Sequence, residues 1–371
     1  MKVLFIINSM SFGGAEKQVF DLLLGLKKRN IQVFLITLVR PTAFIKELEE
    51  NCIDHHCINL KQKNKKNIIF HFVAFLSLYF SIKKFDPDVI HSHLFHSNMY
   101  GRVIALFFNA KNISTVHSLA EHGKFRPILY RFTNWLCSKM VFVSEASRLK
   151  YVEKKAVRME NSLVVSNGFN LDRGKVKKNI NTEELRRMYG FSVNDFIWIS
   201  IGRLIPSKDY SLLLESFLTL YKKDGNARLL IVGEGPERHN MEEFIVANSL
   251  DSVVLIINPV FDIDLIYLMA DAYISTSKFE SFGMTLVEAI IFNLPVLSTK
   301  NGGAEEIFHH DMTGCLIDNK DPSHISLLML ETMKNPKKNI TKYGVLREKY
   351  NIESILDIWI SLYSNTIKIQ F

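Results

Sequence analysis

The sequence predicts an α/β protein made of two doubly wound, Rossmann-like domains. Short apolar or β-branched runs alternate with longer stretches of helical periodicity along the chain, which is typical of βαβ units and parallel sheets. The chain has 371 residues, of which 47% are hydrophobic and 23% are charged. It is therefore long enough for two domains, each with its own buried core.

The first series of elements begins at the amino terminus, where an apolar run ends in a glycine-containing turn. The run is too short for the core of a signal peptide and predicts a buried strand, which a helix over 15–29 follows. Helices fill the intervals between the later strands. The predicted strands are Val3–Ile7, Ile31–Leu38, Val89–Ser92, Ile113–Val116, Lys139–Val143 and Leu163–Val165.

A polar, lysine-rich stretch follows Asn167-Gly168 and continues to about Asn181, which predicts a linker between domains. A second α/β series starts after it, so the domains are predicted as 1–170 and 171–351. The final stretch, from about 352 to 371, has helical spacing. The predicted strands of the second series are Phe196–Ile201, Arg228–Val232, Val253–Ile256, Ala272–Ser275, Pro295–Ser298 and Gly314–Ile317.

Charge is distributed unevenly along the chain. Residues 1–170 hold 24 Lys and Arg against 12 Asp and Glu, whereas residues 171–371 hold 22 against 26. A basic half suits an anionic surface. Because no helix-turn-helix, zinc-finger or RNA-binding signature is present, the sequence favours a membrane surface over nucleic acid, with a solvated basic face as the alternative.

The cysteine pattern and the apolar segments indicate where in the cell the protein is located. Four cysteines lack CxxC spacing, which argues against a disulfide framework and a thiolate metal site and favours the reducing cytoplasm. The longest apolar stretch, Ile68–Phe80, is shorter than the roughly 20 residues that span a bilayer. Six lysines bracket this stretch, which suits a helix in the headgroup layer on the cytoplasmic face of the inner membrane. A core helix with solvated ends is the alternative.

Two carboxylates eight positions apart, Glu280 and Glu288, lie on either side of a helix predicted to start near Gly283. Backbone N–H groups at a helix amino terminus, aided by the helix dipole, bind anions such as phosphate. A phosphate there would leave one glutamate for sugar hydroxyls and the other for ribose hydroxyls. An amphipathic helix with ordinary surface glutamates is the alternative.

Two cations follow the first strand of the second series. Arg203 and Lys208 lie in a strand-to-helix loop, where they can grip a diphosphate and neutralise the charge that builds on it when a sugar bond breaks. Surface solvation is the alternative.

Together with other segments in order along the chain, these motifs resemble the retaining glycosyltransferases of family 4, which have the GT-B fold of two domains facing across a cleft. The resemblance covers nearly the whole chain. Its motifs are Ser11-Phe12-Gly13-Gly14-Ala15-Glu16, His91-Ser92-His93-Leu94-Phe95-His96-Ser97-Asn98, Thr115-Val116-His117-Ser118, Val143-Ser144-Glu145-Ala146, Ser166-Asn167-Gly168, the Arg203 and Lys208 segment, Leu230-Ile231-Val232-Gly233-Glu234-Gly235-Pro236, and the Glu280 and Glu288 segment.

The resemblance implies roles in donor binding. Glu280 contacts the donor sugar and Glu288 the ribose, while Arg203 and Lys208 stabilise the leaving diphosphate. The chain has Val260 where the donor base is read, in a segment where the family commonly has a glycine, so the base stays undetermined and UDP is taken as the commonest donor. The other donor-binding positions implied are Gly13, Gly14, Phe282, Gly283, Met284, Thr285 and Leu286.

Positions in the first domain follow from the same resemblance. Gly13 and Gly14 form a tight loop facing the donor phosphate, because the lack of a Cβ lets backbone approach an anion closely. His117 reaches the sugar ring and is implied to be catalytic together with Glu280, Arg203 and Lys208, with a structural histidine as the alternative. The final helix, about 352–371, packs back on the first domain. The acceptor positions implied are Glu16, His93 and Asn98.

The resemblance also implies a chemistry and a substrate class. It indicates front-side substitution with retention, a hexose or N-acetylhexosamine donor, and a lipid-linked glycan acceptor in bacterial surface polysaccharide (O-antigen or capsule) synthesis. Neither a metal nor another cofactor is expected, because Asp86-Pro87-Asp88 precedes its strand and no ligand spacing recurs. The alternatives are a non-catalytic sugar-nucleotide-binding scaffold subunit and, more remotely, an epimerase or phosphorylase.

Overall fold

A computed structural model describes residues 1–60, 68–118, 125–176, 180–308, 315–336 and 349–368. The chain divides into two compact units, residues 1–169 with 348–371, and residues 170–347. Each unit contains one parallel sheet with helices packed against it. The predicted class, α/β with two doubly wound Rossmann-like domains, is confirmed.

The sheet of the first unit has seven strands: β1 (Lys2–Ile7), β2 (Gln32–Thr37), β3 (Asp54–Cys57), β4 (Val89–His93), β5 (Lys111–Val116), β6 (Lys139–Phe142) and β7 (Ser162–Val164). Their order is β3-β2-β1-β4-β5-β6-β7. The order reverses between β1 and β4, and ligands of doubly wound sheets bind beyond the carboxyl ends of the strands at such a reversal.

Strand β3 was not predicted from the sequence, because its residues, Asp54-His55-His56-Cys57, contain no apolar run. It lies at the edge of the sheet and pairs only with β2. An edge strand needs one partner and little apolar surface, so the usual sequence signal is weak.

The central strand β1 is buried on both faces, which explains its continuous apolar sequence. Val3, Phe5 and Ile7 belong to one core cluster, and Leu4 and Ile6 belong to another on the opposite face. The helices along this part of the chain are α1 (Gly14–Lys28), α2 (Ile45–Glu50), α3 (Ile68–Phe85), α4 (Phe95–Ala105), α5 (Phe125–Thr133) and α6 (Glu145–Glu153), with short 3₁₀ turns at Asn134–Leu136 and Met159–Asn161.

The sheet of the second unit has six strands: β8 (Phe196–Ile201), β9 (Ala227–Val232), β10 (Val254–Ile257), β11 (Ala272–Ser275), β12 (Val296–Thr299) and β13 (Cys315–Ile317). Their order is β10-β9-β8-β11-β12-β13, so the reversal lies between β8 and β11. The helices are α7 (Arg173–Val176), α8 (Thr182–Met188), α9 (Tyr210–Tyr221), α10 (Arg238–Ala247), α11 (Asp264–Met269), α12 (Met284–Ile291), α13 (Gly302–Phe308) and α14 (Pro322–Lys334), with a 3₁₀ turn at Pro206–Lys208.

The last helix, α15 (Ile352–Lys368), is part of the first unit. Leu356, Trp359 and Tyr363 are buried in the same cluster as α1. Arg29, at the end of α1, pairs with Glu353 at 2.7 Å and with Asp357. The helix therefore closes one face of the first sheet with both apolar and ionic contacts.

Candidate active site

The cations and the first carboxylate of the second unit lie at the strand reversal. Arg203 and Lys208 follow β8, and Glu280 follows β11. Strands β8 and β11 are neighbours in the sheet. The topology thus brings together two segments that are more than 70 residues apart in sequence, at the edge where doubly wound sheets bind ligands.

Lys208 and Glu280 form an ion pair in which both side chains are largely buried. Oε1 of Glu280 accepts from Nζ of Lys208 and, at 2.9 Å, from the hydroxyl of Ser277. Oε2 makes no hydrogen bond with any residue in the described ranges. One carboxylate oxygen is therefore anchored, and the other is left to accept from a ligand hydroxyl.

Two glycines shape the backbone that follows Glu280. Gly283 has φ of 90°, a left-handed conformation that glycine adopts without a steric penalty. The N–H of Gly303 donates to the carbonyl of Glu280 at 3.0 Å, and a Cβ on Gly303 would lie 2.7 Å from the carbonyl carbon of Phe282. Direct contact with the first turn of α13 therefore holds the 280–283 loop in place.

Helix α12 starts immediately after this loop. Gly283 provides no side-chain cap for the first turn, whose backbone N–H groups the sequence assigns to an anion. Thr285 is held at the start of the helix by a 2.7 Å hydrogen bond between its hydroxyl and that of Tyr273. The side chains of Phe282 and Leu286 are buried, and the N–H of Leu286 donates to the carbonyl of Gly283 at 3.0 Å.

Glu288 lies one turn into α12 in a buried ionic network. Oε1 pairs with Arg173 at 3.2 Å, and Oε2 accepts from the hydroxyl of Tyr267 at 3.0 Å. Arg173 also pairs with Asp264. Burial alone lowers the pKa of Arg173, but Glu288 and Asp264 raise it above its ordinary value, so the guanidinium stays charged. Burial raises the pKa of Tyr267, which keeps its hydroxyl a proton donor.

The loop after β8 packs directly on the Gly233-Glu234-Gly235 turn after β9. A Cβ on Gly233 would lie 2.0 Å from the carbonyl oxygen of Gly202, and one on Gly235 would lie 2.3 Å from that of Leu204. These glycines therefore support the loop that carries Arg203. Arg203 itself is exposed and pairs with none of the described residues. Val260, assigned to the donor base, is half-buried just after β10.

In the first unit, Gly13 and Gly14 lie between β1 and α1, with Gly13 as the residue that precedes the helix. The Glu16 carboxylate folds back over this loop, where Oε1 accepts from Ser11 at 3.2 Å. A Cβ on Gly13 would lie 2.3 Å from Oε2 of Glu16. The carboxylate therefore lies against the loop assigned to an anion, at the positive end of the α1 dipole.

Three histidines meet where β4 and β5 end. His93 and His117 are hydrogen-bonded through Nδ1 and Nε2 at 3.0 Å. His91 bonds to Tyr363 at 2.8 Å and to Thr115 at 2.7 Å, so α15 contributes to this cluster. Burial lowers the pKa of His117 to about 4 and lowers the pKa of the other two still more clearly, so all three are neutral at pH 7.

Asn98, assigned by resemblance to the acceptor, is fully buried on α4. Its amide donates to the carbonyl of Thr115 at 3.0 Å and to the hydroxyl of Tyr130 at 2.9 Å. The side chain therefore ties α4 to β5 and α5 inside the unit.

Sequence profiles of two families match consecutive parts of the chain. "Glycosyltransferase Family 4" matches residues 12–173, and "Glycosyl transferases group 1" matches residues 181–350. The chain is a family 4-like glycosyltransferase of the GT-B type. The GT-B fold and the family 4-like glycosyltransferase class, which were predicted by resemblance, are confirmed.

Individual glycosyltransferases are similar over most of their length. An uncharacterized glycosyltransferase of Haemophilus influenzae is 24% identical over 96% of this chain and 97% of its own. The alpha-monoglucosyldiacylglycerol synthase of Acholeplasma laidlawii is 23% identical over 76% of each chain. Among solved structures, Anabaena Alr3699/HepE in complex with UDP and glucose superimposes with a TM-score of 0.85 at 20% identity, covering 98% of this chain and 99% of that one.

Sequence reasoning missed two residues of this glycosyltransferase's candidate site. Arg173 was placed in the polar linker, and Tyr267 was not considered. The sequence gives only a weak indication that Arg173 is functional, because a single arginine among lysines is typical of a solvated surface charge. Only its contacts with Glu288 and Asp264, which are 115 and 91 residues away, distinguish it from its neighbours.

The histidine pair has one favoured proton arrangement. Nε2 of His93 is buried and has no hydrogen-bond partner among the described residues. If His93 donates through Nδ1, only an acceptor is left unpaired, whereas the reverse would bury an unpaired N–H, which is the rarer situation in proteins. His117 then carries its proton on Nδ1, where it can donate to a sugar oxygen.

We expect the stability of this glycosyltransferase to fall as the pH decreases from about 6.5 to 4. The folded state holds His117 neutral down to about pH 4, whereas the unfolded chain takes up the proton near 6.5. Stability due to this group is therefore fully present above 6.5, and about 3 kcal/mol is lost by pH 4. Urea unfolding at several pH values measures the slope.

The His117→Gln variant should flatten this slope between pH 6.5 and 4. The matched control is His239→Gln, since His239 is exposed on α10 and is not part of the histidine cluster. Equal slopes in wild type and His117→Gln would contradict the assignment of the lowered pKa to His117.

Proposed function

We propose that this glycosyltransferase moves a hexose or N-acetylhexosamine from a UDP-sugar to a lipid-linked glycan, with retention, during synthesis of a bacterial surface polysaccharide. The observation that carries the donor part is the arrangement around α12. Glu280, with one carboxylate oxygen anchored by Lys208 and the other without a hydrogen bond to any described residue, precedes an uncapped helix start, and Glu288 follows one turn later. This order suits a sugar, a diphosphate and a ribose in turn.

The identity of the nucleotide is supported by comparison. Anabaena Alr3699/HepE has been solved with UDP, with UDP and glucose, and with UDP-glucose. We infer that the second unit binds a uridine nucleotide at the same edge of its sheet. Arg203 and Lys208 then neutralise the charge that develops on the departing diphosphate.

Retention is proposed to occur by front-side substitution. The acceptor oxygen forms a bond to the anomeric carbon as the bond from that carbon to the donor phosphate oxygen breaks. The acceptor proton passes to a phosphate oxygen of the leaving diphosphate. The anchoring of Glu280 by Lys208 and Ser277 supports this route, because a carboxylate held by a cation is a poor nucleophile. The proposed reaction uses neither a metal nor another cofactor.

The lipid-linked acceptor is supported by the names of similar proteins. The Acholeplasma relative is a monoglucosyldiacylglycerol synthase. WaaG, a glycosyltransferase involved in lipopolysaccharide biosynthesis, superimposes with a TM-score of 0.74 at 16% identity. We propose that Glu16, His93 and Asn98 of the first unit lie on the acceptor side, that His117 is among the catalytic residues, and that the protein is located at the cytoplasmic face of the inner membrane.

The test is nucleoside-diphosphate release from a panel of UDP- and GDP-sugars, with a polyprenyl-diphosphate-linked hexosamine as acceptor. We expect UDP release that requires the acceptor, and a product whose anomeric proton coupling matches that of the donor. Release from GDP-sugars alone would reassign the base, and an inverted product would refute the mechanism. Nucleotide binding without release from any donor would favour the scaffold subunit instead.

A further inference from the structure

Helix α5 presents its apolar face to solvent. Phe125, Ile128, Leu129 and Phe132 are spaced i, i+3, i+4 and i+7, so they share one face of the helix. Phe125 is 76% exposed, Phe132 is 71% exposed, and the adjoining Trp135 is 77% exposed. We call these five residues the α5 stripe. An amphipathic helix normally turns such a stripe toward the core, so this one is oriented for another apolar phase.

The inward face of α5 explains its orientation. Pro127 and Tyr130 are the residues of this helix that are buried. The Tyr130 ring packs between Phe95 and Tyr151, and the guanidinium of Arg102 lies 4.9 Å from its centre. These contacts fix the rotation of the helix, so the α5 stripe cannot turn inward without breaking a buried aromatic cluster.

The α5 stripe continues onto neighbouring helices. Leu106, which ends α4, is 58% exposed and lines the same surface cavity as Trp135. Phe107 is also exposed and contacts Phe75 of α3 with ring centres 5.5 Å apart. Phe80 of α3 is 63% exposed. So many exposed apolar side chains on three helices that pack against one another are uncommon on a protein that stays in water.

The stretch of sequence that contains these three helices is strongly basic. Residues 61–144 contain twelve Lys and Arg but only three Asp and Glu, and α3, α4 and α5 contain no acidic residue. Arg131 on α5 and Lys83 and Lys84 on α3 are exposed. Pairing with a second copy would bring like charges together, whereas an anionic bilayer matches both the apolar residues and the charge.

We propose that the α5 stripe, with the adjoining ends of α3 and α4, is the surface by which this protein lies on an anionic lipid bilayer. Trp135 and the phenylalanines occupy the headgroup layer, where aromatic rings are favoured, and the arginines contact lipid phosphates. None of the helices in the described ranges could cross a membrane. In the proposed arrangement α5 lies parallel to the bilayer plane, and the contact extends beyond the Ile68–Phe80 segment.

This inference deepens the proposed function and rests on it only for the lipid-linked acceptor. His117 lies just beyond the carboxyl end of β5, and α5 is the helix between β5 and β6. A bilayer under α5 would thus lie beside the edge of the first unit to which the acceptor is assigned. Lipid binding can be measured without donor or acceptor, so its failure and the failure of the proposed function are distinguishable.

The test uses the fluorescence of the whole protein with vesicles of phosphatidylcholine, alone or mixed with phosphatidylglycerol. Of the three tryptophans, Trp198 and Trp359 are buried and Trp135 is exposed, so a change of environment reports on the α5 stripe. We expect a blue shift and co-sedimentation with the anionic vesicles only. The Trp135→Phe variant should lose the shift but still sediment.

Substitutions then separate the apolar and ionic contributions. Phe132→Ser should weaken vesicle affinity roughly tenfold, and Arg131→Gln about fivefold. Val246→Ser is the matched control, because Val246 is 69% exposed in the second unit and should leave affinity unchanged. Phe132→Ser and Arg131→Gln both replace exposed side chains, and thermal unfolding verifies that these two variants fold.

Three results would overturn the proposal. These are the absence of sedimentation with anionic vesicles, equal vesicle affinity in Phe132→Ser and wild type, and a concentration-dependent mass in light scattering that Phe132→Ser abolishes. The last would identify the α5 stripe as an interface between two copies of the chain.

Discussion

Replacing Glu280 by glutamine is expected to lower acceptor-dependent donor turnover about 10²-fold or more. In the wild type, one carboxylate oxygen is shared by Lys208 and Ser277, and the other makes no hydrogen bond within the described part of the chain. The amide oxygen of glutamine can still accept from the ammonium group, but it carries no charge to form an ion pair. Lys208 therefore loses its ion pair, and the proposed donor sugar loses a charged acceptor for its hydroxyls.

The measurement is the rate of nucleoside-diphosphate release at saturating and limiting donor. A Glu242→Gln variant is the matched control, because Glu242 pairs with Arg238 at 2.7 Å on the surface of α10, away from the strand reversal. We expect that control to retain wild-type turnover. If Glu280→Gln kept its turnover within about twofold of wild type, Glu280 would not be a catalytic residue. The loss of even a single electrostatic contact to the transition state lowers turnover far more than that.

Replacing Arg173 by methionine is expected to destabilise the protein by about 3–5 kcal/mol, because it leaves two buried carboxylates without their cation. The guanidinium bridges Glu288 and Asp264, and all three side chains are no more than 16% exposed. Methionine has a similar length but cannot pair with either acid. The same change should weaken UDP binding, since Glu288, the proposed ribose ligand, would lose the contact with Arg173 that orients it.

Urea unfolding and UDP titration measure the two effects. Arg187→Met is the matched control, because Arg187 pairs with Glu183 on an exposed helix face and such pairs contribute only a few tenths of a kcal/mol. Arg173→Lys should restore part of the stability but less of the UDP affinity, because a lysine cannot bridge two acids in a fixed geometry. A loss below about 1 kcal/mol in Arg173→Met would show that the network is not a buried one.

Much of the fold follows from local patterns in the sequence. Strands Phe196–Ile201 and Ala272–Ser275 were predicted with the bounds that the structure shows. Both are buried in the centre of their sheet, where a continuous apolar run is required. The edge strand Asp54–Cys57 was missed, because one-sided pairing makes no such demand on its sequence.

The candidate site was predicted in part. Positions just after strands were recognisable from motif and spacing, which is how Lys208, Glu280 and Glu288 were selected. Their partners were not recognisable, because Arg173 and Tyr267 are ordinary residue types outside any motif. Asn98 was selected from a motif as well, and the structure shows its side chain fully buried between helices and strands, which its sequence context did not reveal.

The sequence by itself determined the α/β class, the two sheets and the segments that carry the chemistry, because hydrophobic periodicity and turn residues act over a few positions. Only the tertiary structure decided which side chains meet. The pairing of Lys208 with Glu280 and of Arg173 with Glu288 depends on strand order, which local sequence patterns do not determine. The outward orientation of α5 is of the same kind, because its periodicity reveals an apolar face but packing around Tyr130 decides where that face points.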